Sequence, residues 1–196
     1  MLITSNMQKN LYTKYSNKNT KLSRDARDGK LIKIKKGLYE TNPNIPIYYL
    51  SSSIYGPSYI SFDFALSYYG LIPERVEVVT CATYGKKKKK KIETQLGNLI
   101  YRDVPTNVYS YGVKLITKDS YTYHIAIPEK ALCDKLYTIS PVNNIEEMYN
   151  LLFNDLRIDE IELNKLDLNI IKELNELYHS TNVSFLYKVL RRDKGE

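Results

Sequence analysis

Between Lys18 and Lys36 the chain reads KNTKLSRDARDGKLIKIKK, a stretch dense in guanidinium, ammonium, amide and hydroxyl groups. Those are the groups that bond base edges when a helix lies in the DNA major groove, and that neutralise phosphates from a flanking hairpin. The competing reading is a solvated helix followed by an edge hairpin that uses lysine against aggregation. A second basic feature, Lys86, Lys87, Lys88, Lys89, Lys90 and Lys91, forms an unbroken run. It reads either as a solvated hairpin tip or as a candidate second phosphate contact, which would add affinity without sequence information. A localisation signal fits the pattern but not the bacterial-looking composition.

Residues suited to bond-making chemistry are sparse. His124 sits in the alternating run YTYHIAI and reads as a structural histidine. His179 falls at a helix end, where it complements the dipole. Cys133 and His124 invite a thiol–imidazole pairing that nothing local supports. The adjacent pairs Glu146/Glu147 and Asp159/Glu160 point to different helix faces. No phosphate-cradling, dinucleotide, zinc-protease or nucleophile-elbow motif occurs. Cys81 and Cys133 lie in apolar sequence without metal-ligand spacing, so neither a metal nor a cofactor is expected. The chain reads as a non-enzyme.

The elements that would position the basic groups follow from periodicity and turn chemistry. A helix starting at Ser5 or Asn6 would carry Met7, Leu11 and Tyr15 on one face. After the cap-rich turn NKNT comes a second helix with Leu22 and Ala26 inward, closed by Gly29. The run LIKIKKGLYE then alternates as a hairpin that turns at Gly37. Helix, turn, basic helix and basic hairpin make the layout of a winged helix–turn–helix. A Pro- and Asn-rich boundary near residues 41–46 divides a domain 1–42 from a domain 43–196. In the second domain, helices are expected after Ser61 and from Pro128, with strands at RVEVVTCAT, LGNLIYRDV, GVKLIT and YTYHIAI. The lysine run would cap a hairpin between the first two of these strands, and amphipathic helices would complete the C-terminal tail. The expected class is α+β: a winged helix–turn–helix, then a mixed domain with a small, mainly antiparallel sheet and a helical tail.

Charge supports two partners. Residues 1–42 carry a net +7, residues 43–140 a net +4 and residues 141–196 a net −4. A polyanion is therefore drawn to one end and repelled by the other. No apolar run approaches the roughly 20 residues of a membrane span, no leader pattern is seen, and free thiols fit a reducing compartment, so the expectation is cytoplasmic with no membrane partner.

Three segments in order resemble the antitoxins of the AbiE abortive-infection systems, the type IV toxin–antitoxin class. RDGKLIKIKKGLY (27–39) is similar to the end of that family's N-terminal winged helix. SYISFDFALSYYGLIPERVEVVT (58–80) resembles its second-domain signature, and IAIPEKALCDKLY (125–137) its EKAL segment. The resemblance implies a repressor that binds inverted repeats of double-stranded DNA in its own promoter, as a monomer in solution with two copies per operator. It also implies a second domain that counteracts a nucleotidyltransferase toxin without a stable complex. The alternative is a module that binds the toxin directly, with DNA contact incidental. Carried over by position, Lys18, Asn19, Thr20, Lys21, Ser23, Arg24, Arg27 and Lys30 would face DNA. Lys33, Lys35 and Lys36 would form the wing, over a core of Leu22, Ala26, Leu31 and Ile34. Glu129, Lys130 and Asp134 of the EKAL segment invite a catalytic reading, but Glu129 and Lys130 fall in a helix's first turn and read at least as well as a structural cap and a salt bridge. Family members carry a further helix ahead of the pair, where this sequence has only Met1–Thr4, so the first domain is expected to complete its core on the second.

Overall fold

The first 42 residues build a three-stranded sheet that serves as a wall between two cores. The structure, a computed structural model, describes residues 1–4, 7 and 10–195. Strand β1 (Leu2–Thr4) pairs antiparallel with β3 (Leu38–Glu40), which pairs antiparallel with β2 (Ile32–Lys35), giving the order β1-β3-β2. Side chains alternate across this wall. Ile3 and Tyr39 face one side, where they pack with Leu22 and Leu31 as a small core beside Tyr12 and Ala26. Leu38 and Ile34 join the main core on the other side, with Leu2 and Ile32 packed against it. Ile34 thus departs from the expected first-domain core, and its side chain sits among residues of the second unit.

Helix α1 (Lys18–Arg27) lies on the small core. It starts because Asn17 caps it, the Asn17 Oδ1 accepting the Thr20 N–H at 3.1 Å. It stops at Asp28, after which Gly29 and then the hairpin's Gly37 take positive φ (73° and 78°), as their turn positions require. The helix start expected at Ser5 or Asn6 lies outside the described residues. Met7, Asn10 and Leu11 have helical backbone, but the expected inward face of Met7, Leu11 and Tyr15 is 39%, 51% and 47% exposed. Tyr12 turns inward instead.

The rest of the chain forms a six-stranded sheet of order β6-β7-β5-β4-β9-β8. Its strands are β4 (Tyr59–Ile60), β5 (Val79–Thr83), β6 (Lys90–Thr94), β7 (Gly97–Asp103), β8 (Val113–Lys118) and β9 (Tyr121–Ala126). The pairs β4–β5, β6–β7 and β8–β9 are antiparallel, whereas β5–β7 and β4–β9 are parallel, so the sheet is mixed. A 3-10 turn (Ile47–Leu50) stacks its tyrosines on the sheet, Tyr48 and Tyr49 meeting Tyr123, and runs on into α2 (Ser51–Ile54). Helix α3 (Phe62–Tyr68) packs on α4 (Pro128–Tyr137). Helix α5 (Ile145–Tyr149) runs on into a π-helical turn (Asn150–Asp155), and α6 (Glu160–Asn164) follows. Helices α7 (Leu168–Tyr178) and α8 (Thr181–Asp193) complete the tail, both packed on α4. Helix α6 and strands β1, β4 and β6 were not foreseen from the sequence. No helix among the described residues is long and apolar enough to cross a membrane.

Candidate nucleic-acid interface

At 100° per residue, α1 separates its side chains into two faces. Leu22, Asp25 and Ala26 point toward the small core, while Thr20, Ser23, Arg24 and Arg27 form the opposite, exposed stripe. Arg24 and Arg27 occupy the last turn, where the helix dipole favours cations. Asn19 and Lys30 are exposed beside this stripe, and Lys18 is half-buried. The hairpin lysines Lys33, Lys35 and Lys36 are all exposed, and a β-bulge between Lys33 and Lys35 sets their directions.

Two residues expected to face DNA are held by the fold instead. Lys21 Nζ donates to Asp25 Oδ1 at 2.5 Å and lies 5.4 Å from the centre of the Tyr15 ring. Asp25 also accepts the Tyr12 hydroxyl at 3.1 Å. The bond from Lys21 outweighs burial and, with the Tyr12 bond, holds the Asp25 carboxyl below its usual range; the same pair holds the Lys21 ammonium above its own. The Asp25 carbonyl takes the N–H groups of Lys30 and Leu31, so this residue also shapes the turn into β2. Lys35 donates its ammonium to the carbonyl of Ile54 across the junction of the two units. Lys21 and Lys35 therefore belong to the scaffold. Asp25 was overlooked, although its i,i+4 spacing from Lys21 is a legible ion-pair signal.

The lysine run is not a hairpin tip. Strand β5 does not pair with β6; the chain leaves β5, passes over the C-terminal end of β7 and returns as β6 on that strand's far side. Lys90 and Lys91 are the first two residues of β6, an edge strand, and β2 packs beside it. Lys86 lies 5.4 Å from the centre of the Tyr55 ring, next in sequence to the Ile54 carbonyl that holds Lys35. The run and the β2–β3 hairpin are thus neighbours.

The remaining candidate groups fall at separate places in the fold. Lys130 and Asp134 form a fully buried i,i+4 ion pair at 2.9 Å on α4. Asp134 also accepts Ser61 Oγ at 2.6 Å, Tyr59 OH at 3.0 Å and the Tyr178 hydroxyl. Burial, reinforced by the Asp134 charge, pushes both phenols well above their ordinary range. Glu129 Oε1 accepts the Asp167 N–H at 3.0 Å, tying α4 to the start of α7. Cys81 and Cys133 are buried thiols outside any disulfide, and burial raises the pKa of both. His124 is exposed on β9 and lines a cleft of about 430 Å³ with Tyr59, Tyr109 and Val113, and Cys133 is not among the lining residues. His179 caps α7 in a left-handed conformation. Among the described residues, no three His, Cys, Asp or Glu side chains group as a metal site.

No protein-family model matches the chain, and no curated protein is found as a relative.

Proposed function

We propose that this protein is a DNA-binding autorepressor and antitoxin of the AbiE type. The observation that carries the DNA reading is the exposed stripe Thr20, Ser23, Arg24 and Arg27 on a capped helix beside a hairpin with exposed Lys33 and Lys36. In this reading α1 enters the major groove, Arg24 and Arg27 bond base edges, and Lys30, Lys33 and Lys36 hold phosphates. A single α1 reads one half-site, so an inverted repeat takes two copies. The antitoxin role rests on the order of the three family-like segments. The segment 141–196, with its net −4, would repel DNA and is left for a protein partner.

The test is equilibrium binding to the DNA upstream of its own gene and to a random duplex of equal length. Arg24→Ala and Arg27→Ala should each weaken binding to the cognate site by about tenfold or more, the worth of one bidentate base contact. Random-duplex affinity should fall far less. Equal losses on both duplexes would remove the base-reading role. For the antitoxin arm, co-expression with a neighbouring nucleotidyltransferase that alone arrests growth should restore growth, and continued arrest would refute that arm alone.

A further inference from the structure

We propose that the turn carrying Lys87, Lys88 and Lys89 is a preorganised cradle for consecutive phosphate groups, held in shape by Asp103. The fold accounts for the other lysines of the run. Lys90 and Lys91 lie on an exposed edge strand, where lysine discourages edge-to-edge pairing. Lys91 is paired with Glu93 at 2.8 Å, and Lys86 packs over Tyr55. Lys87, Lys88 and Lys89 are off the sheet, are exposed, and form no ion pair among the described residues. With Arg102 and Thr138 they line a shallow hollow over the end of β7.

This turn has a defined shape rather than trailing through solvent. Asp103, the last residue of β7, lies directly beside Thr83, the last residue of β5. Its Oδ1 accepts Thr83 Oγ1 at 2.6 Å and its Oδ2 accepts the Lys87 N–H at 2.6 Å. Both carboxylate oxygens are thereby engaged by the protein. Lys87 is held at φ 58°, a left-handed conformation that side-chain-bearing residues rarely adopt. A solvating loop needs neither an anchored backbone nor a conformation of that kind. Four cations brought to one hollow match a ligand that presents successive phosphates. That ligand is either the backbone of a nucleic acid or a free oligophosphate. The cradle does not depend on base reading by α1.

An acidic latch inside a basic site gives an unusual prediction. If the lysines act only as charge, removing the Asp103 carboxylate must tighten polyanion binding. If the latch shapes the cradle, Asp103→Ala should weaken it by about tenfold, while Asp103→Asn, which keeps an acceptor for the Lys87 N–H, should bind at least as tightly as the parent. The full chain is titrated with tripolyphosphate and, separately, with a random duplex carrying no cognate site, with melting temperature recorded for every variant. A Lys87/Lys88/Lys89→Ser variant, confined to exposed positions, serves as the charge control. It should lose affinity for at least one probe and flatten that probe's salt dependence. Loss on the duplex alone assigns the cradle to a nucleic acid backbone, and loss on tripolyphosphate alone assigns it to a free oligophosphate. Tighter binding by Asp103→Ala, or unchanged binding of both probes by the triple-serine variant, overturns the proposal. Repeating the duplex titration in the Arg24→Ala/Arg27→Ala background separates this outcome from failure of the α1 reading.

Discussion

Lys130 and Asp134 sit four residues apart on α4, and neither side chain reaches solvent. Two charges leave water at a cost of several kcal/mol each, and their attraction offsets this only when the remaining lone pairs are filled. Asp134 meets that condition through Ser61, Tyr59 and Tyr178, while Lys130 also lies 4.6 Å from the centre of the Tyr178 ring. The cluster ties α4 to β4, α7 and the entry to α3. Asp134→Ala should therefore destabilise the protein by about 3–5 kcal/mol, the cost of stranding a buried ammonium. The double change Lys130→Met with Asp134→Asn, which removes both charges and keeps an amide acceptor for the surrounding hydroxyls, should recover part of that loss. Urea unfolding measures both, and a single-variant loss below about 1 kcal/mol would show that water reaches the pair. The i,i+4 spacing made this ion pair legible in the sequence. Its tyrosine partners, 44 and 75 residues distant, were not legible, because no local pattern marks a long-range hydroxyl.

Helix α1 shows what periodicity decides and where it stops. Its cap, its closing glycine and its inward Leu22 follow from local chemistry, and so does the hairpin turn at Gly37. Layout and the family resemblance assigned every cation from Lys18 to Lys36 to DNA, yet Lys21 is tied to Asp25 and Lys35 to the Ile54 carbonyl. Strands β1 and β4 are too short to show alternation, and β6 is masked by its lysines. The expected hairpin at the lysine run is a crossover because turn signals show where a chain bends, not which strand it lands beside. The division of labour on α1 is testable by a pair of variants. Lys21→Ala should lower the melting temperature through loss of the Asp25 bond while leaving duplex affinity of the folded protein within about twofold. Arg27→Ala should do the reverse, since its side chain is exposed and its nearest carboxylate, on Asp28, is 3.6 Å away. Identical behaviour of the two would mean the inner and outer faces of α1 are not functionally distinct.

At the scale of the whole molecule, the question is how the basic N-terminal unit is fixed to the rest, and Glu40 is the joint. This last residue of β3 is fully buried on the main-core side of the wall. Its Oε1 accepts the Met1 ammonium at 2.5 Å, the N–H groups of Thr41 and Asn42 at 2.8 and 2.9 Å, and the Tyr121 hydroxyl at 2.8 Å from β9. Burial alone would raise this carboxyl. The ammonium, the Asn42 N–H and the Tyr121 hydroxyl together outweigh it and hold Glu40 below its ordinary value. Tyr121 moves the opposite way, pushed up to about 12 by burial first and by Glu40 second. A carboxyl with a depressed folded pKa stabilises fully above its unfolded value, near 4.3, and loses that contribution as pH falls through the folded value. Asp25, also depressed, adds to the same limb. Stability should therefore be level with respect to these two groups from pH 7 to about 5 and fall below about 4. Glu40→Gln should cost about 1–3 kcal/mol at pH 7, because the Met1 ammonium and Tyr121 lose a charged acceptor. Its acid limb should also be shallower than the parent's, since one fewer group takes up a proton on unfolding. Urea midpoints from pH 7 to 3 supply both numbers. A variant as stable as the parent at pH 7, with an unchanged acid slope, would move the joint from Glu40 to the apolar contacts of Ile34 and Leu38.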